Sequence, residues 1–200
     1  MSAREVVIVA SGGANTASLQ FALQRLGARS QVSADPERLR GATHVILPGV
    51  GAAADAMARL RHGSLDSLIP TLAQPVLGIC LGMQLLHDAS DEGDTPCLGI
   101  LPGRARRLEA AQRRPVPHMG WNTLEGRRES PLLEGIAEGA YAYFVHSYAL
   151  DPGAATLACT RYGGEFSACI GWRNFYGTQF HPERSAGVGA RLLDNFLALS

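Results

Sequence analysis

The sequence predicts an α/β protein with an open, mostly parallel sheet flanked by helices and a second half rich in strands. In the first half, short continuous apolar runs alternate with stretches of helical periodicity. Such runs are typical of parallel strands that are buried on both faces. In the second half, strand-like runs follow one another with short turns between them. The 200 residues fit one domain, which we place at residues 1–200.

The first half contains three predicted buried strands, at Glu5–Ala10, Thr43–Leu47 and Pro75–Cys80. Apolar residues recur at helical spacing over residues 19–26, and Gly27 ends that helix. A second helix is predicted at Leu81–His87. Because strands separated by helices are joined by right-handed crossovers, we expect the three strands to run parallel.

The second half contains five strand-like runs and a final helix. The runs are Leu101–Leu108, Ala140–Tyr148, Thr156–Tyr162, Phe166–Trp172 and Phe175–Phe180. The helix is predicted at Val188–Leu199. Pro117–Asn122 is apolar and aromatic, and we expect it to form a loop.

The composition excludes several classes of function. All 18 basic residues are arginine, and 18 acidic residues balance them. Without lysine, the chain contains neither a lysine-bearing phosphate loop nor a Schiff-base lysine. The balanced charge gives no electrostatic case for binding nucleic acid or an anionic membrane. No apolar run approaches the length of a membrane span.

The cysteines and the first turn exclude further sites. The four cysteines form no C-x-x-C pair, so we expect no zinc ribbon, no metal and reduced thiols in the cytoplasm. The N-terminal apolar run is too short for a signal peptide. Ser11–Asn15 follows a strand but lacks the G-x-G-x-x-G pattern, so we assign it no dinucleotide.

Cys80 is the predicted nucleophile. Gly78-Ile79-Cys80-Leu81-Gly82 lies where a buried strand turns into a helix, with the spacing of a G-x-S-x-G nucleophile elbow. A tight strand-to-helix turn leaves no room for a Cβ at either flanking glycine. The start of a helix favours a thiolate, and the Leu81 N–H is a natural oxyanion donor. The other cysteines have no such setting.

His181 is the predicted base, and Glu183 its orienting partner. In an extended segment, residues two apart project to one side, so Glu183 can reach the His181 ring. The intervening proline favours that extended geometry at His181. The carboxylate would fix the imidazole tautomer and stabilise the imidazolium. His146 alternates with two aromatic residues on a strand, and we interpret it as a packed histidine.

A second oxyanion donor is predicted in Pro48-Gly49-Val50-Gly51, through Gly49 and Val50. This loop ends an apolar strand, and ligands of open parallel sheets gather at the carboxyl ends of strands. Glycines permit the close backbone approach that such a donor needs. Cys80 is predicted at the same edge of the sheet.

These motifs resemble a known family. Residues 78–84 (GICLGMQ) and 180–183 (FHPE) resemble the class I, or triad, glutamine amidotransferases, which implies their flavodoxin-like fold. Residues 48–51 (PGVG), 117–122 (PHMGWN) and 143–148 (YFVHSY) look more narrowly like the glutaminase subunits of imidazole glycerol phosphate synthases. The resemblance spans nearly the whole chain, with the motifs in the right order.

The resemblance implies a reaction and a substrate. Glutamine would be hydrolysed to glutamate and ammonia through a γ-glutamyl thioester on Cys80, without a cofactor. The residues implied in glutamine binding are Gly51, Gln84, Glu92, Ser147 and Tyr148. Gln84 also lies one helical turn after Cys80, on the same helix face.

The resemblance also implies a partner. Ammonia would pass to a separate cyclase subunit, a (β/α)8 barrel, which makes imidazole glycerol phosphate and an aminoimidazole carboxamide ribotide in histidine biosynthesis. The implied interface or ammonia gate comprises His118, Met119, Trp121, Asn122, Tyr143 and Arg184. Arg184 replaces a lysine that is common in the family, and its planar guanidinium can stack on Trp121 or Tyr143.

Three alternatives remain open from the sequence. The chain could be the glutaminase subunit of another class I amidotransferase, such as pyridoxal phosphate synthase. It could be a self-sufficient cysteine peptidase or amidase that shares the elbow. It could also be a non-catalytic interaction subunit that retains only the fold.

Overall fold

A seven-stranded sheet forms the centre of the protein, for which a computed structural model describes residues 4–12 and 16–200. Its strands are β1 (Glu5–Val9), β2 (Arg29–Ser33), β3 (His44–Gly49), β4 (Val76–Cys80), β11 (Thr156–Tyr162), β12 (Gly164–Trp172) and β13 (Phe175–Thr178). Their spatial order is β11-β12-β13-β4-β3-β1-β2. The five strands from β13 to β2 run parallel, and β11 and β12 continue the sheet as antiparallel strands.

Two smaller sheets accompany the central one. One has the order β10-β7-β5-β6, and the other pairs β8 with β9. Their strands are β5 (His87–Ser90), β6 (Thr95–Pro96), β7 (Leu101–Arg107), β8 (His118–Thr123), β9 (Tyr141–His146) and β10 (Tyr148–Leu150).

The described helices cover both faces of the central sheet. They are α1 (Thr16–Arg25), α2 (Pro36–Gly41), α3 (Ala53–His62), α4 (Leu65–Leu68), α5 (Leu81–Leu85) and α6 (Ala186–Ala198), with short 3-10 turns at Ile69–Thr71, Glu92–Asp94, Pro131–Leu133 and Pro182–Arg184. None of the described helices is long and apolar enough to cross a membrane.

The core consists of two apolar layers, one on each face of the sheet. Side chains of β1 alternate between them, because successive residues of a strand point to opposite faces. Val6 and Ile8 belong to the layer that contains the buried residues of α1 and α6. Val7 and Val9 belong to the layer that contains those of α2 and α3. Burial on both faces explains the continuous apolar run of this strand.

The predicted fold class is confirmed, while several elements differ. Strand β2 was not predicted, because it is an edge strand with only Val32 as a large apolar residue. The helix predicted at Leu81–His87 ends at Leu85, and His87 begins a strand instead. Ala140–Tyr148 is interrupted at Ser147, which separates β9 from β10.

The loop predicted at Pro117–Asn122 is wrong, because His118–Thr123 forms strand β8. Successive residues of β8 point to opposite faces of its antiparallel pair with β9, so that Met119 and Trp121 are exposed and His118 is buried. Of Ser11–Asn15, residues 13–15 lie outside the described residues. The single domain at residues 1–200 stays a prediction.

Gly189 allows α6 to pack against the turn that follows His181. A Cβ built on Gly189 would lie 1.8 Å from the carbonyl oxygen of Pro182. Gly187, two residues earlier in the same helix, has nothing within 4 Å of an added Cβ. The two glycines therefore form a matched pair with opposite steric surroundings.

We expect Gly189→Ala to lower the free energy of unfolding by about 3 kcal/mol, because helix and turn must separate to admit the methyl group. Gly187→Ala should leave it unchanged or raise it by up to about 1 kcal/mol, through lower entropy of the unfolded chain. Denaturant unfolding of both variants measures the difference. Equal stabilities would contradict the close packing of α6 on Pro182.

Candidate active site

Strand β4 ends at Cys80, and α5 begins at the next residue. Cys80 has φ 54° and ψ −112°, a backbone conformation that side-chain-bearing residues rarely adopt. Strain of this kind costs about 1–3 kcal/mol and persists only where the surrounding structure enforces it. The sharp turn predicted for a nucleophile elbow is therefore present.

The two glycines that flank Cys80 are required by close backbone contacts. A Cβ on Gly82 would lie 1.8 Å from the carbonyl oxygen of Leu47 in β3. A Cβ on Gly78 would lie 2.7 Å from backbone atoms of Gly82 and Met83. The elbow therefore depends on the absence of both methyl groups.

The thiol of Cys80 lies between two polar groups. Its Sγ lies 3.7 Å from the carbonyl oxygen of Val145, to which a thiol can donate. The Nε2 of Gln179 donates to Sγ over 3.6 Å. The Gln179 amide provides a favourable contact for negative charge on sulfur, in addition to the start of α5.

The other cysteines differ from Cys80 in their surroundings. Burial raises the pKa of the Cys97 thiol to about 11, and it also raises the pKa values of Cys159 and Cys169. These three residues therefore remain thiols at neutral pH, which makes them poor nucleophiles.

His181 and Glu183 are paired as predicted. The Nδ1 of His181 lies 3.0 Å from Oε1 of Glu183, and both side chains are about nine-tenths buried. The other ring nitrogen, Nε2, has no hydrogen-bond partner among the described residues. Glu183 thus orients the ring and leaves Nε2 free to exchange a proton.

The pKa of His181 reflects opposing effects. Burial lowers it, but the hydrogen bond to Glu183 and the charge interactions with Cys80 and Glu183 outweigh burial and raise the pKa to about 10. The imidazolium form is therefore favoured when Cys80 and Glu183 carry negative charge. This arrangement suits a thiolate–imidazolium pair.

A cavity of about 260 Å³ brings the predicted site residues together. Cys80 and His181 lie on its wall. It is also lined by the predicted oxyanion residues Gly49, Val50 and Leu81 and by the predicted glutamine-binding residues Gly51, Gln84, Glu92, Ser147 and Tyr148. Glu183 contributes to a neighbouring cavity of about 160 Å³, together with Arg184.

The oxyanion residues come from two adjacent strand ends. In the parallel register, Gly49 at the end of β3 pairs with Cys80 at the end of β4. Leu81, the first residue of α5, follows the nucleophile directly. Backbone groups from both strands therefore lie close to the sulfur.

Gln84 is buried and makes two hydrogen bonds. Its Nε2 donates to the carbonyl oxygen of Tyr148 over 2.8 Å and to Oε1 of Gln179 over 2.9 Å. Glu92 accepts a hydrogen bond from the backbone N–H of Ala53, at 2.8 Å, and so satisfies the N-terminus of α3. Both residues thus stabilise the cavity wall.

Three of the residues predicted for the interface or ammonia gate, Trp121, Tyr143 and Arg184, lie together. The rings of Trp121 and Tyr143 meet edge to face at 5.9 Å, and the Arg184 guanidinium lies 5.3 Å from the centre of the Tyr143 ring. Met119 and Trp121 are exposed on this face of β8, whereas Asn122 is half-buried on the other face, where its Nδ2 lies 3.3 Å from Nε2 of His118.

His118 is buried and does not belong to that exposed surface, and its role at the interface or ammonia gate stays a prediction. It is on the opposite face of β8, stacked between the rings of Phe144 and Tyr162. Alternation along a strand explains the difference, because neighbouring residues point to opposite faces. His146 is packed as predicted, and it lies directly beside His118.

Two residues of the site had no signal in the sequence. Gln179 contacts Sγ of Cys80, as described above. Ser185 donates to the His181 carbonyl over 2.7 Å and accepts from the Tyr143 N–H at 2.9 Å. Tertiary structure brings Gln179 to Cys80, whereas Ser185 reaches the His181 carbonyl through the local turn that follows it. The described residues contain no group of three or more His, Cys, Asp or Glu that could hold a metal ion.

The fold, the strained elbow and the paired triad are those of a glutaminase. The sequence matches the family described as "Glutamine amidotransferase class-I" over residues 7–199. The chain therefore belongs to the class I glutamine amidotransferases.

Within that family, the similarity is to one kind of subunit. The chain is 53% identical to "Imidazole glycerol phosphate synthase subunit HisH" of Xylella fastidiosa (strain Temecula1), over 98% of each chain. It is 50% identical to "Imidazole glycerol phosphate synthase subunit HisH 2" of Legionella pneumophila (strain Lens), over 97% of this chain and 98% of the relative. It belongs with these HisH subunits.

A solved structure supports the fold independently. One described as "Crystal structure of glutamine amidotransferase" superimposes with a TM-score of 0.74, over 96% of this chain and 97% of the other. The two sequences are only 22% identical, so this comparison establishes the fold alone.

We expect His181 to titrate near pH 10 and Glu183→Gln to lower that pKa by roughly 1–3 units, because the variant removes a charge partner. Because the folded-state pKa is raised, protonated His181 contributes stability that is fully present below pH 6.5 and is lost as the pH rises through about 10. Histidine NMR titration measures the midpoint. Glu165→Gln, an exposed carboxylate paired with Arg161, is the control; an equal shift in both variants would contradict the assignment.

Proposed function

We propose that the chain is the glutaminase subunit of an imidazole glycerol phosphate synthase, hydrolysing glutamine and supplying ammonia to a cyclase subunit. One observation carries the proposal. Cys80 and His181 line the same cavity as the five residues expected to bind glutamine. Full-length relatives at 50–53% identity, which are HisH subunits by name, support the choice of synthase.

In the first half-reaction, the Cys80 thiolate attacks the δ-carbonyl carbon of glutamine. A C–S bond forms while the carbonyl electron pair moves to oxygen, where backbone N–H groups of Leu81 and the Gly49–Val50 segment stabilise it. The pair then returns and the C–N bond breaks. The His181 imidazolium gives its Nε2 proton to the departing nitrogen, which leaves as ammonia.

In the second half-reaction, water hydrolyses the γ-glutamyl thioester. Neutral His181 accepts a proton from water at Nε2, which has no competing hydrogen bond. The water oxygen attacks the thioester carbon, and the C–S bond breaks to regenerate the thiolate. The balance is glutamine plus water giving glutamate plus ammonia, with Glu183 orienting the ring throughout. No cofactor takes part.

The substrate groups of glutamine match the cavity wall. Glu92 offers a carboxylate to the α-amino group, even though one of its oxygens accepts from Ala53. Gly51, Ser147 and Tyr148 complete the wall opposite α5. A cavity of this composition suits a small zwitterion better than an extended peptide, which argues against the peptidase alternative.

The exposed face of β8 and β9 is the proposed docking surface for the cyclase, a (β/α)8 barrel. Met119 and Trp121 are more than half exposed, as is Tyr141 on the paired strand. Aromatic and methionine side chains are enriched at the centres of protein interfaces. The proposed exit for ammonia is the neighbouring cavity, because His181 lines both cavities and Arg184, which lines the second one, contacts Tyr143 of this surface. We place the reaction in the cytoplasm, where the four free cysteines stay reduced.

Cys80→Ala should abolish glutamine-dependent synthesis by the complex with the cyclase and leave ammonia-dependent synthesis intact. The variant lacks the nucleophile but keeps the fold and the docking surface. Cys97→Ala, which removes a thiol outside the cavity, should retain activity. Normal glutamine-dependent synthesis by Cys80→Ala would mean that the chain is a non-catalytic subunit.

The choice of partner is tested by glutamine turnover of the wild-type chain. We expect stimulation by the cyclase with its nucleotide ligand, and none by a pyridoxal phosphate synthase. Stimulation by the latter alone would assign the chain to that synthase. Rapid hydrolysis of assorted amides without any partner would support the amidase alternative.

Trp121→Ala should weaken binding of the cyclase by about 2 kcal/mol, or roughly 30-fold in Kd, as for a central aromatic at an interface. Trp172→Ala is the matched control, because Trp172 is also exposed but lies at the end of β12, where β13 begins and away from the catalytic edge. Calorimetric titration measures both. Equal losses would place the docking surface elsewhere.

A further inference from the structure

Two buried histidines lie next to the candidate glutamine cavity and have no part in the chemistry above. His118 of β8 and His146 of β9 are directly opposite in the antiparallel register. The Nδ1 of His118 lies 3.0 Å from Nε2 of His146, and both residues are more than nine-tenths buried. His146 also lines the cavity.

The hydrogen bonds of this pair determine where each ring carries its proton. The Nδ1 of His146 lies 2.8 Å from the carbonyl oxygen of Tyr148, which can only accept, so Nδ1 carries the hydrogen. In a neutral ring, Nε2 of His146 is then the acceptor. His118 must therefore donate from Nδ1, which leaves its own Nε2 as an acceptor.

Asn122 completes the series at its outer end. Its Nδ2 lies 3.3 Å from Nε2 of His118 and donates to the carbonyl oxygen of Arg161 over 3.0 Å. Its Oδ1 accepts from the N–H of Thr123 at 2.8 Å, which fixes the orientation of the amide. All hydrogen bonds from Asn122 to Tyr148 thus point in one direction, and each donor meets an acceptor.

The inner end of the series supports the glutamine cavity. The carbonyl oxygen of Tyr148 accepts from His146 and from Nε2 of Gln84, each at 2.8 Å. Gln84 in turn donates to Gln179, whose amide contacts Sγ of Cys80. The Tyr148 carbonyl is therefore held from two sides, by His146 of β9 and by Gln84 of the helix that follows the nucleophile.

Both rings are suited to remain neutral. Burial lowers the pKa of His118 to about 4. Burial also lowers the pKa of His146, against the opposing hydrogen bond to Tyr148, to about 3. Adding a proton to His146 would set its Nε2–H against the Nδ1–H of His118, 3.0 Å away, so the neutral pattern is the one in which each donor meets an acceptor.

We propose that His118 is a positioning residue: through His146 it fixes the Ser147–Tyr148 wall of the glutamine cavity and connects that wall to β8, the strand that presents the docking surface. The effect on glutamine rests on the proposed function. The hydrogen-bond pattern itself does not, since it follows from distances within the chain. His118 touches no reacting atom and acts only through its neighbour.

The kinetic test replaces His118 by phenylalanine in the full chain bound to the cyclase. Phenylalanine keeps the stacking on Phe144 and Tyr162 but leaves Nε2 of His146 without a donor. We expect KM for glutamine to rise by about tenfold, the effect of one lost buried hydrogen bond, with a smaller change in kcat. His118→Asn can still donate from an amide near the Nδ1 position and should restore much of the KM.

His44→Phe is the matched control. His44 is equally buried and packs against an aromatic ring, Phe196, but its hydrogen bonds go to Thr43 and Leu199, away from the site. It should lose stability without a change in KM. An unchanged KM in His118→Phe, or an equal rise in both variants, would overturn the positioning role.

A second measurement is independent of the reaction. In ¹⁵N spectra of the full chain alone, His118 and His146 should both show the Nδ1–H tautomer at neutral pH. Either ring in the Nε2–H form, or protonated, would overturn the proposed pattern. If wild-type complex lacks glutamine-dependent synthesis while both tautomers are as expected, then the proposed function fails and the pattern stands.

Discussion

The close approach of β3 to the start of α5 is the constraint on which the site depends. Because Gly82 has no Cβ, its backbone lies against the carbonyl of Leu47, and the chain can reverse within one residue after β4. Cys80 takes up the strain of that reversal in its left-handed backbone. The reversal directs the thiol to the carboxyl edge of the sheet. The Gly49 turn ends at the same edge, as does β13, which precedes His181.

Strand β9 connects this edge to the protein surface. The Val145 carbonyl lies beside the sulfur, and the Tyr143 carbonyl accepts the backbone N–H of His181 at 3.0 Å. Tyr143 also presents its ring beside Trp121 and Arg184 on the exposed face. A displacement of β9 by a bound partner would therefore reach both the nucleophile and the base through short, direct contacts. One strand can contact both the site and the surface, because successive side chains of a pleated strand point to opposite faces.

The sequence predicted the reacting residues of the site better than the residues that hold them in place. Cys80, His181 and Glu183 lie within short motifs whose local geometry follows from steric rules, and the long apolar strands follow from burial on both faces. Strand β2 was missed because an edge strand needs no continuous apolar run. The loop predicted at Pro117–Asn122 was wrong, because the exposed apolar face of a strand such as β8 carries no sequence signal that distinguishes it from a loop. Gln179 could not have been found, since its contact with Cys80 joins positions 99 residues apart.

The polar side chains that support the cavity wall are paired in hydrogen bonds, whereas the reacting residues retain unpaired polar atoms. A buried polar network stabilises a fold only when each member is paired, because an unpaired group retains its full desolvation cost. Along the series from Asn122 to Gln84, each link joins a donor to an acceptor, which makes the cavity wall rigid. Among the described residues, four buried side-chain polar atoms have no partner, and two of them are Nε2 of His181 and Oε2 of Glu183. Within the active site, the unpaired atoms thus lie on the base and its orienting carboxylate, and Nε2 of His181 is the nitrogen that gives up a proton in the first half-reaction and takes one up in the second.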